Sequence, residues 1–143
     1  MTDTKNTIAN LKNLGKQTEH VLQGADASLL EAMPNPMRPE HSNTVQIVGD
    51  EFTSLCAATR GPDFGKIIVE YSPDKHLVES KSIKFYFESY RNEPMFHEAI
   101  IGKICEDLVL LLDPFWIEVR GEFKPRGGWA IVPTARWCRD ADA

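Results

Sequence analysis

The two residues best suited to covalent chemistry are a cysteine and an acid that follows it. Cys56 comes at the end of a strand-like segment, and Asp63 follows Pro62 in the turn-rich loop after it. Cysteine is among the most buried residue types and often only fills space, so a core role for Cys56 is the alternative. A thiol nucleophile needs a nearby proton carrier, which an acid in the same loop can be. The pair therefore predicts a nucleophile with its proton donor.

A histidine and a glutamate stand together at the predicted start of a long helix. Glu98 could accept two parallel hydrogen bonds from a guanine-like edge, or serve only the helix dipole as an acid in the first turn. His97 could be a buried hydrogen-bonded residue or a member of a proton relay. No histidine lies one turn further on and no Cys-x-x-Cys pair is present, so no metal site is predicted.

Two basic groups indicate anion binding. Lys81 and Lys84 lie three residues apart in the segment 79–87, Glu-Ser-Lys-Ser-Ile-Lys-Phe-Tyr-Phe, which places both on one helix face. Arg126 and the adjoining Gly127 combine a guanidinium with a glycine amide, which suits phosphate. The alternatives are a solvated lysine face and an exposed turn arginine. The chain has no phosphate-loop or Gly-x-Gly-x-x-Gly motif, which argues against a Rossmann-type nucleotide site.

The overall composition narrows the function classes. A chain of 143 residues suits one domain with a buried core. Its formal net charge of −5 argues against sequence-independent nucleic-acid binding, so no direct nucleic-acid partner is predicted. Its three cysteines are widely spaced, which fits a reduced, cytoplasmic protein better than a disulfide framework. The polar N-terminus resembles no secretory signal, and no apolar run is long enough to span a membrane.

The hydrophobic pattern predicts an α+β fold in the order β-β-α-α-β-β. Strands are predicted over about 44–52, 66–71, 117–123 and from 129 to 132. Helices are predicted over about 80–91, with Ile83, Phe87 and Tyr90 buried, and from Pro94 to Leu112, with Cys105 in the core. We expect an antiparallel sheet with both helices on one face. Its open edges favour pairing between subunits.

The predicted organisation has three parts. Residues 1–40 form an N-terminal extension with a polar start and a proline-rich end, 41–138 the catalytic domain, and 139–143 a C-terminal tail. Cys138, close to the charged terminus, has no evident partner in the sequence.

Together these segments resemble the NADPH-dependent 7-cyano-7-deazaguanine reductases, the nitrile reductases of queuosine biosynthesis, in their short single-module form. The resemblance covers roughly residues 47–133 and also touches residues 14–18, Leu-Gly-Lys-Gln-Thr. It rests on the segment 79–87 and, in the family's order, on Phe-Thr-Ser-Leu-Cys ending at Cys56, Pro62-Asp63-Phe64, Phe96-His97-Glu98 and Pro125-Arg126-Gly127-Gly128.

The resemblance implies both an architecture and an activity. The architecture is the tunnelling fold (T-fold), in which subunits join their sheets into an oligomeric barrel with active sites at the interfaces. The short form is typically a homo-oligomeric decamer of two stacked pentamers. The activity is reduction of 7-cyano-7-deazaguanine to 7-aminomethyl-7-deazaguanine for queuosine tRNA modification, with two NADPH per turnover and no metal.

The resemblance also implies a role for each candidate residue. Cys56 attacks the nitrile carbon to form a covalent thioimide, Asp63 protonates the nitrogen, and His97 completes the catalytic group. Glu98 anchors the deazaguanine edge with help from Glu79 and Ser80. The implied cofactor-binding residues are Lys81, Lys84, Arg126 and Gly127.

Two departures from the family pattern concern the nucleophile. The loop Ala57-Ala58-Thr59-Arg60-Gly61 lacks the usual proline after the cysteine, and Arg60 is expected to lower the pKa of the Cys56 thiol. Ile100 stands where many relatives have a cysteine, so no protective disulfide is expected there.

Two other functions remain open on the sequence alone. One is an amidinotransferase-type relative that acts on the nitrile within tRNA, and the other is a non-catalytic purine- or pterin-binding T-fold oligomer. Lys81 and Lys84 favour the reductase, because the first alternative needs no nicotinamide.

Overall fold

The computed structural model describes residues 24–140. The predictions for residues 1–23, and most of the predicted tail 139–143, lie outside them. Within residues 24–140 the chain forms six strands and two α-helices. In chain order these are β1 (Ala32–Pro34), β2 (Val45–Leu55), β3 (Pro62–Ser72), β4 (His76–Val78), α1 (Ser80–Glu88), α2 (His97–Leu112), β5 (Trp116–Phe123) and β6 (Thr134–Cys138).

Four of the strands form an antiparallel sheet in the order β2-β3-β5-β6. Alternate residues of β5 are buried, as a strand with one covered face requires: Ile117, Val119, Gly121 and Phe123. Helix α2 packs against β5 and β6, and α1 packs against β2. The predicted α+β architecture, with both helices against an antiparallel sheet, is confirmed.

Helix α2 carries the main apolar stripe of the core. Its buried hydrophobic residues are Ile100, Ile101, Ile104, Cys105, Leu108 and Leu112. The prediction for Cys105 is confirmed, and burial raises the pKa of its thiol. The predicted helix start at Pro94 is wrong, because Pro94 bridges to Leu55 and the helix begins at His97. It ends as predicted, with Asp113 as a left-handed C-cap.

A buried polar network joins the two helices. The hydroxyl of Tyr86 donates to Asp107 Oδ2 at 2.6 Å and lies 2.8 Å from the hydroxyl of Tyr90. The ammonium of Lys103 donates to the same carboxylate oxygen at 2.6 Å. Burial raises the pKa of both tyrosines, so they stay neutral at ordinary pH. The network fixes α1 against α2. It thereby also fixes the relative positions of the first turns of the two helices.

Strand β3 begins earlier than predicted. The turn after β2 is short, with the amide of Cys56 donating to the carbonyl of Gly61 at 2.8 Å. Pro62 opens the strand, a position where a missing N–H is tolerated. Asp63 is therefore a strand residue, and its predicted place in a turn is wrong. In the ladder it lies directly opposite Ser54.

A β-bulge in β2 decides which side chains face the helices. Gly49 pairs with Ile67 but Phe52 pairs with Gly65, so β2 has one extra residue between them. An extra residue moves the following side chains to the other face of a strand. As a result Phe52 and Ser54 are buried, four and two residues before Cys56 respectively.

The fourth predicted strand, at 129–132, is wrong in position. Arg126 and Trp129 instead pair across a tight turn, and Trp129 is 81% exposed. Pro133 accepts a hydrogen bond from Gly121 N at 3.0 Å but has no N–H to return. Regular pairing with β5 therefore begins only at Thr134.

The segment before β2 packs against the start of α1. Strand β1 pairs with β4 in a separate two-stranded sheet, and Leu30 is buried in the core. The amide of Glu79 donates to the carbonyl of Glu31 at 2.8 Å. Among residues 24–140, no helix is long and apolar enough to cross a bilayer.

Candidate active site

Cys56 follows the last residue of β2 and is partly exposed. Its environment lowers the pKa of the thiol from 9.0 to about 7. The main cause is hydrogen bonding from the Thr59 side chain, followed by the backbone at Thr59 and Ala58, with a smaller contribution from Arg126. Near neutral pH about half of the thiol is therefore thiolate, the nucleophilic form. The expected contribution of Arg60 is not among the causes; its backbone, with φ of 60°, shapes the turn.

Asp63 and His97 form a buried pair. The carboxylate Oδ2 lies 3.0 Å from the imidazole Nε2, and the two side chains are only 6% and 3% exposed. The pairing of β3 with β2 holds Asp63, while the first turn of α2 holds His97. The imidazole also stacks on the ring of Phe123, with centroids 3.8 Å apart. The stacking on Phe123 and the hydrogen bond to Asp63 together fix the orientation of the imidazole.

Arg126 links the thiol to this buried pair. Its Nη1 atom lies 3.3 Å from Cys56 Sγ and 3.4 Å from Asp63 Oδ1. The turn that carries it includes Gly127, whose φ of 59° suits glycine. The structure thus brings the three predicted catalytic residues together and adds Arg126, whose predicted role is cofactor binding.

The start of α1 holds a second group of candidate residues. The Glu79 carboxylate caps the helix by accepting from the amides of Lys81 and Ser82 at 2.8 and 2.7 Å. These bonds lower the pKa of Glu79. The Ser80 hydroxyl contacts the same carboxylate at 3.4 Å. Glu79 and Ser80, predicted to bind substrate, therefore form the N-terminal cap of the helix in this structure.

The remaining candidates are exposed. The ammonium of Lys81 lies 5.8 Å from the centroid of the Phe85 ring, and Lys84 points toward a groove between α1 and β2. Glu98 lies in the first turn of α2, next to His97, and its side chain is open to solvent. An exposed carboxylate beside the buried pair is available to a ligand or to another subunit.

The groove has a volume of about 1130 Å³ and runs along the outer strand β2. Its apolar wall includes Ile47, Ile83 and Phe87, and its basic side chains are Lys84, Arg91 and Lys124. It reaches Phe64, the residue after Asp63 in β3, whereas Cys56, Asp63, His97 and Arg126 are not among its lining residues. Acidic side chains line it too, including Asp50, which pairs with Lys66 at 3.5 Å.

The geometry suits covalent catalysis by a thiol. A partly ionised cysteine, a buried acid and its histidine lie around one guanidinium, which is the arrangement a nucleophile and proton carrier require. Within residues 24–140, no three His, Cys, Asp or Glu side chains come together in a way that could hold a metal ion.

Comparison with known proteins identifies the family. A family model described as QueF-like protein matches residues 62–142. The chain belongs to the QueF-like family. A reductase named NADPH-dependent 7-cyano-7-deazaguanine reductase from Helicobacter pylori (strain G27) is 48% identical over 87% of this chain and 82% of its own length. The enzyme of the same name from Neisseria gonorrhoeae (strain NCCP11945) is 42% identical over 96% of this chain and 87% of its own.

A solved member of the QueF-like group has the same fold. The crystal structure of the archaeosine synthase QueF-Like in the apo form superposes with a TM-score of 0.61 at 20% identity. The match covers 65% of this chain and 91% of that one. At this identity the likeness concerns the fold alone, and it agrees with the T-fold implied by the sequence.

Three residues at the site were missed in the sequence. Thr59 lies three positions after Cys56, in the loop that differs from the family pattern. A hydroxyl so close to a thiol in the sequence could have indicated that it hydrogen-bonds the thiol. Phe123 was predicted only as a buried strand residue, because its partner His97 lies on another element. The face of the sheet to which the Ser54 side chain points could not be predicted, because the bulge after Gly49 decides it.

Proposed function

We propose that this protein is an NADPH-dependent nitrile reductase that converts 7-cyano-7-deazaguanine to 7-aminomethyl-7-deazaguanine through a thioimide on Cys56. The observation that carries the proposal is the cluster of Cys56, Asp63, His97 and Arg126 in a chain 48% identical to a reductase of that name. The reaction serves the queuosine modification of tRNA, and the substrate is the free base, with no direct nucleic-acid contact.

The first step is attack by Cys56. The thiolate adds to the nitrile carbon, one C–N π bond breaks, and its electron pair moves to nitrogen. The thiol pKa of about 7 makes the thiolate accessible near neutral pH. The covalent thioimide is easier to reduce than the nitrile, which divides one difficult reaction into simpler steps.

The nitrogen takes its proton from Asp63. The buried His97 Nδ1 has no partner within the described residues, and a lone pair is tolerated there more readily than an N–H. The ring hydrogen is therefore on Nε2, which donates to Asp63 Oδ2. Asp63 is then an acceptor that can take the proton released by the Cys56 thiol and pass it to the nitrile nitrogen. The net result is the transfer of one proton from the sulfur of Cys56 to the nitrile nitrogen, with Asp63 returned to its starting form.

The groove along β2 is the proposed dinucleotide site. Lys84, Arg91 and Lys124 can contact its phosphates, and the apolar wall can cover a ring. Bound NADPH supplies hydride, and two NADPH per turnover supply the four electrons of the conversion. Lys81 and Gly127 are proposed to contact the cofactor too, by resemblance to the family. Arg126 has first to leave Cys56 and Asp63 before it can hold a phosphate.

The proposed substrate contacts come from side chains outside the buried pair. Glu98 is the proposed anchor of the deazaguanine edge, since a carboxylate can accept two parallel hydrogen bonds from it. Glu79 and Ser80 are proposed to border the same ligand from the start of α1. The family form, a decamer of two stacked pentamers, would complete the site at a subunit interface, where the edge strands β2 and β6 are open to pairing. We place the enzyme in the cytoplasm, where Cys56 stays reduced.

The deciding experiment combines two measurements. Intact mass after mixing with 7-cyano-7-deazaguanine should rise by the mass of one nitrile per chain, and Cys56→Ala should abolish the gain. Adding NADPH should give oxidation of two NADPH for each amine formed. A wild-type protein with no mass gain contradicts the thioimide, and a mass gain without NADPH oxidation favours the tRNA-directed relative instead.

A further inference from the structure

Ser54 carries a buried hydroxyl that the proposed mechanism does not use. The residue is 0% exposed, and its Oγ has no hydrogen-bond partner among residues 24–140. Native proteins keep few such groups, because an unsatisfied buried hydroxyl is destabilising. The other buried side-chain atoms of this kind in that range are His97 Nδ1 and Arg139 Nε. Ser54 and His97 both neighbour Asp63, which points to a role at the site.

The bulge in β2 and the strand register place this hydroxyl next to the catalytic acid. Ser54 and Asp63 lie directly opposite each other, and both are buried on the helix-facing side of the sheet. Opposite residues on one face have Cβ atoms about 5 Å apart. Rotation of the Ser54 side chain therefore brings its hydroxyl within hydrogen-bonding reach of the carboxylate.

Asp63 already has two partners in this structure. His97 Nε2 lies 3.0 Å from one carboxylate oxygen, and Arg126 Nη1 lies 3.4 Å from the other. The same Nη1 contacts Cys56 Sγ, so the guanidinium occupies the space between the nucleophile and the acid. A nitrile bonded to Cys56 with its nitrogen facing Asp63 needs this space. Arg126 must therefore leave when the substrate binds.

We propose that Ser54 is a positioning residue whose hydroxyl donates to the Asp63 carboxylate once Arg126 has left it. The inference rests on the proposed function, which requires Arg126 to move. The hydroxyl then keeps the carboxyl group of Asp63 oriented so that the proton it carries faces the substrate nitrogen.

A double-mutant cycle in thermal stability tests the contact without any substrate. In the wild-type background Ser54→Ala should leave the melting temperature unchanged or raise it, because an unsatisfied hydroxyl is removed. In the Arg126→Ala background the hydroxyl should already bond Asp63, so Ser54→Ala should lower the melting temperature by roughly 3–5 °C. Equal effects in both backgrounds overturn the proposal. So does a comparable fall, or a failure to fold, in the wild-type background, because the hydroxyl is then bonded in the free enzyme.

The rate of thioimide formation, measured by intact mass without NADPH, tests the catalytic role. Ser54→Ala should slow it roughly tenfold at saturating nitrile, with the half-saturating concentration unchanged within about twofold. Ser54→Thr, which keeps the hydroxyl, should restore most of the rate. A Ser54→Ala rate within about twofold of wild type overturns the proposal.

Ser89→Ala is the matched control. Ser89 is also buried, but its hydroxyl donates to the carbonyl of Tyr86 and accepts from the amide of Asp26 at 3.1 Å. Its loss should lower the melting temperature and leave the rate of thioimide formation unchanged. A wild-type protein that forms no adduct would contradict the proposed function itself, while the stability cycle would still decide whether Ser54 and Asp63 interact.

Discussion

Phe123 lies flat against His97, with ring centroids 3.8 Å apart and an angle of 2° between the ring planes. The stacking couples the end of β5 to the first turn of α2, where the imidazole meets Asp63. Two residues earlier on β5, Gly121 allows the helix to approach the sheet closely. A Cβ atom there would lie 2.7 Å from Ile101 Cδ1 and 2.7 Å from Phe123 Cε2.

Gly121→Ala should therefore disturb both the core and the imidazole. The added methyl group must displace Ile101 or Phe123, so we expect a loss of about 1–3 kcal/mol in the free energy of unfolding. We also expect slower thioimide formation, because Phe123 orients His97. Denaturant unfolding and intact-mass kinetics measure the two effects.

Gly102→Ala is the control for this substitution. Gly102 lies in α2, and a Cβ atom there meets nothing within 4 Å. The change should stabilise the protein by about 0.5–1 kcal/mol, because alanine is the better helix former. If Gly121→Ala proves as harmless as Gly102→Ala, the close approach of β5 and α2 is not required.

The reactivity of Cys56 should depend on Thr59. A thiol with a pKa of about 7 reacts with iodoacetamide at a rate that rises with pH and levels off above neutrality. Thr59→Val removes the largest cause of the lowered value and should move the midpoint toward 9.0. Arg126→Ala should move it less, because the arginine contributes least among the groups that lower it.

Mass analysis of the peptide that contains Cys56, across a pH series, measures these midpoints. The sign follows from the thiolate being the nucleophile: thioimide formation should slow as pH falls below the midpoint. An unchanged midpoint in Thr59→Val would show that the hydroxyl does not stabilise the thiolate.

The elements could be predicted from the sequence where their burial is periodic. The stripe of α2 and the alternation of β5 follow from one covered face each, and both elements lie where the pattern placed them, apart from the start of α2. The predicted position of the fourth strand is wrong because Ile131 and Val132, although exposed, are residue types typical of strands, while Pro133 delays regular pairing. Local composition cannot reveal where a partner strand begins to accept hydrogen bonds.

The site could be predicted in its residues but less in their contacts. Cys56, Asp63 and His97 were proposed together, and the structure brings Asp63 and His97 to 3.0 Å. The contact of Arg126 with Cys56 joins residues 70 positions apart and depends on where a turn points its side chain. Likewise the direction of Ser54 depends on one extra residue in β2, which no periodicity reveals.

Glu79 should contribute to stability through its capping bonds, with a defined pH dependence. Hydrogen bonds from the amides of Lys81 and Ser82 lower its pKa from 4.5. A lowered folded-state pKa means that the contribution is fully present above about pH 4.5 and is lost as pH falls through the folded value. Glu79→Ala should therefore lower the melting temperature at pH 7, and the difference from wild type should shrink in acid.

Glu79→Gln is the control for the capping role, because its amide oxygen can still accept from one of the two N–H groups. It should lie between wild type and Glu79→Ala in melting temperature. A pH-independent difference between Glu79→Ala and wild type would contradict the role of the carboxylate charge. Binding of the nitrile, measured on the same variants, separates capping from the proposed substrate contact.

Lys84 should act on the cofactor and not on the covalent step. It lines the groove with an exposed ammonium, whereas Cys56 and Asp63 are not among the residues that line it. Lys84→Ala should raise the NADPH concentration for half-maximal rate roughly fivefold, as expected for one exposed ion pair of about 1 kcal/mol. Thioimide formation without NADPH should be unchanged.

Lys75 provides the matched control, because it is also exposed but lies in the turn between β3 and β4, outside the residues that line the groove. Lys75→Ala should change neither measurement. Added salt should weaken NADPH binding to wild type more than to Lys84→Ala, since screening removes an interaction that the variant no longer makes. An equal effect of Lys75→Ala and Lys84→Ala on NADPH would mean that the groove is not the cofactor site. An effect of Lys84→Ala on thioimide formation would instead place the lysine at the substrate.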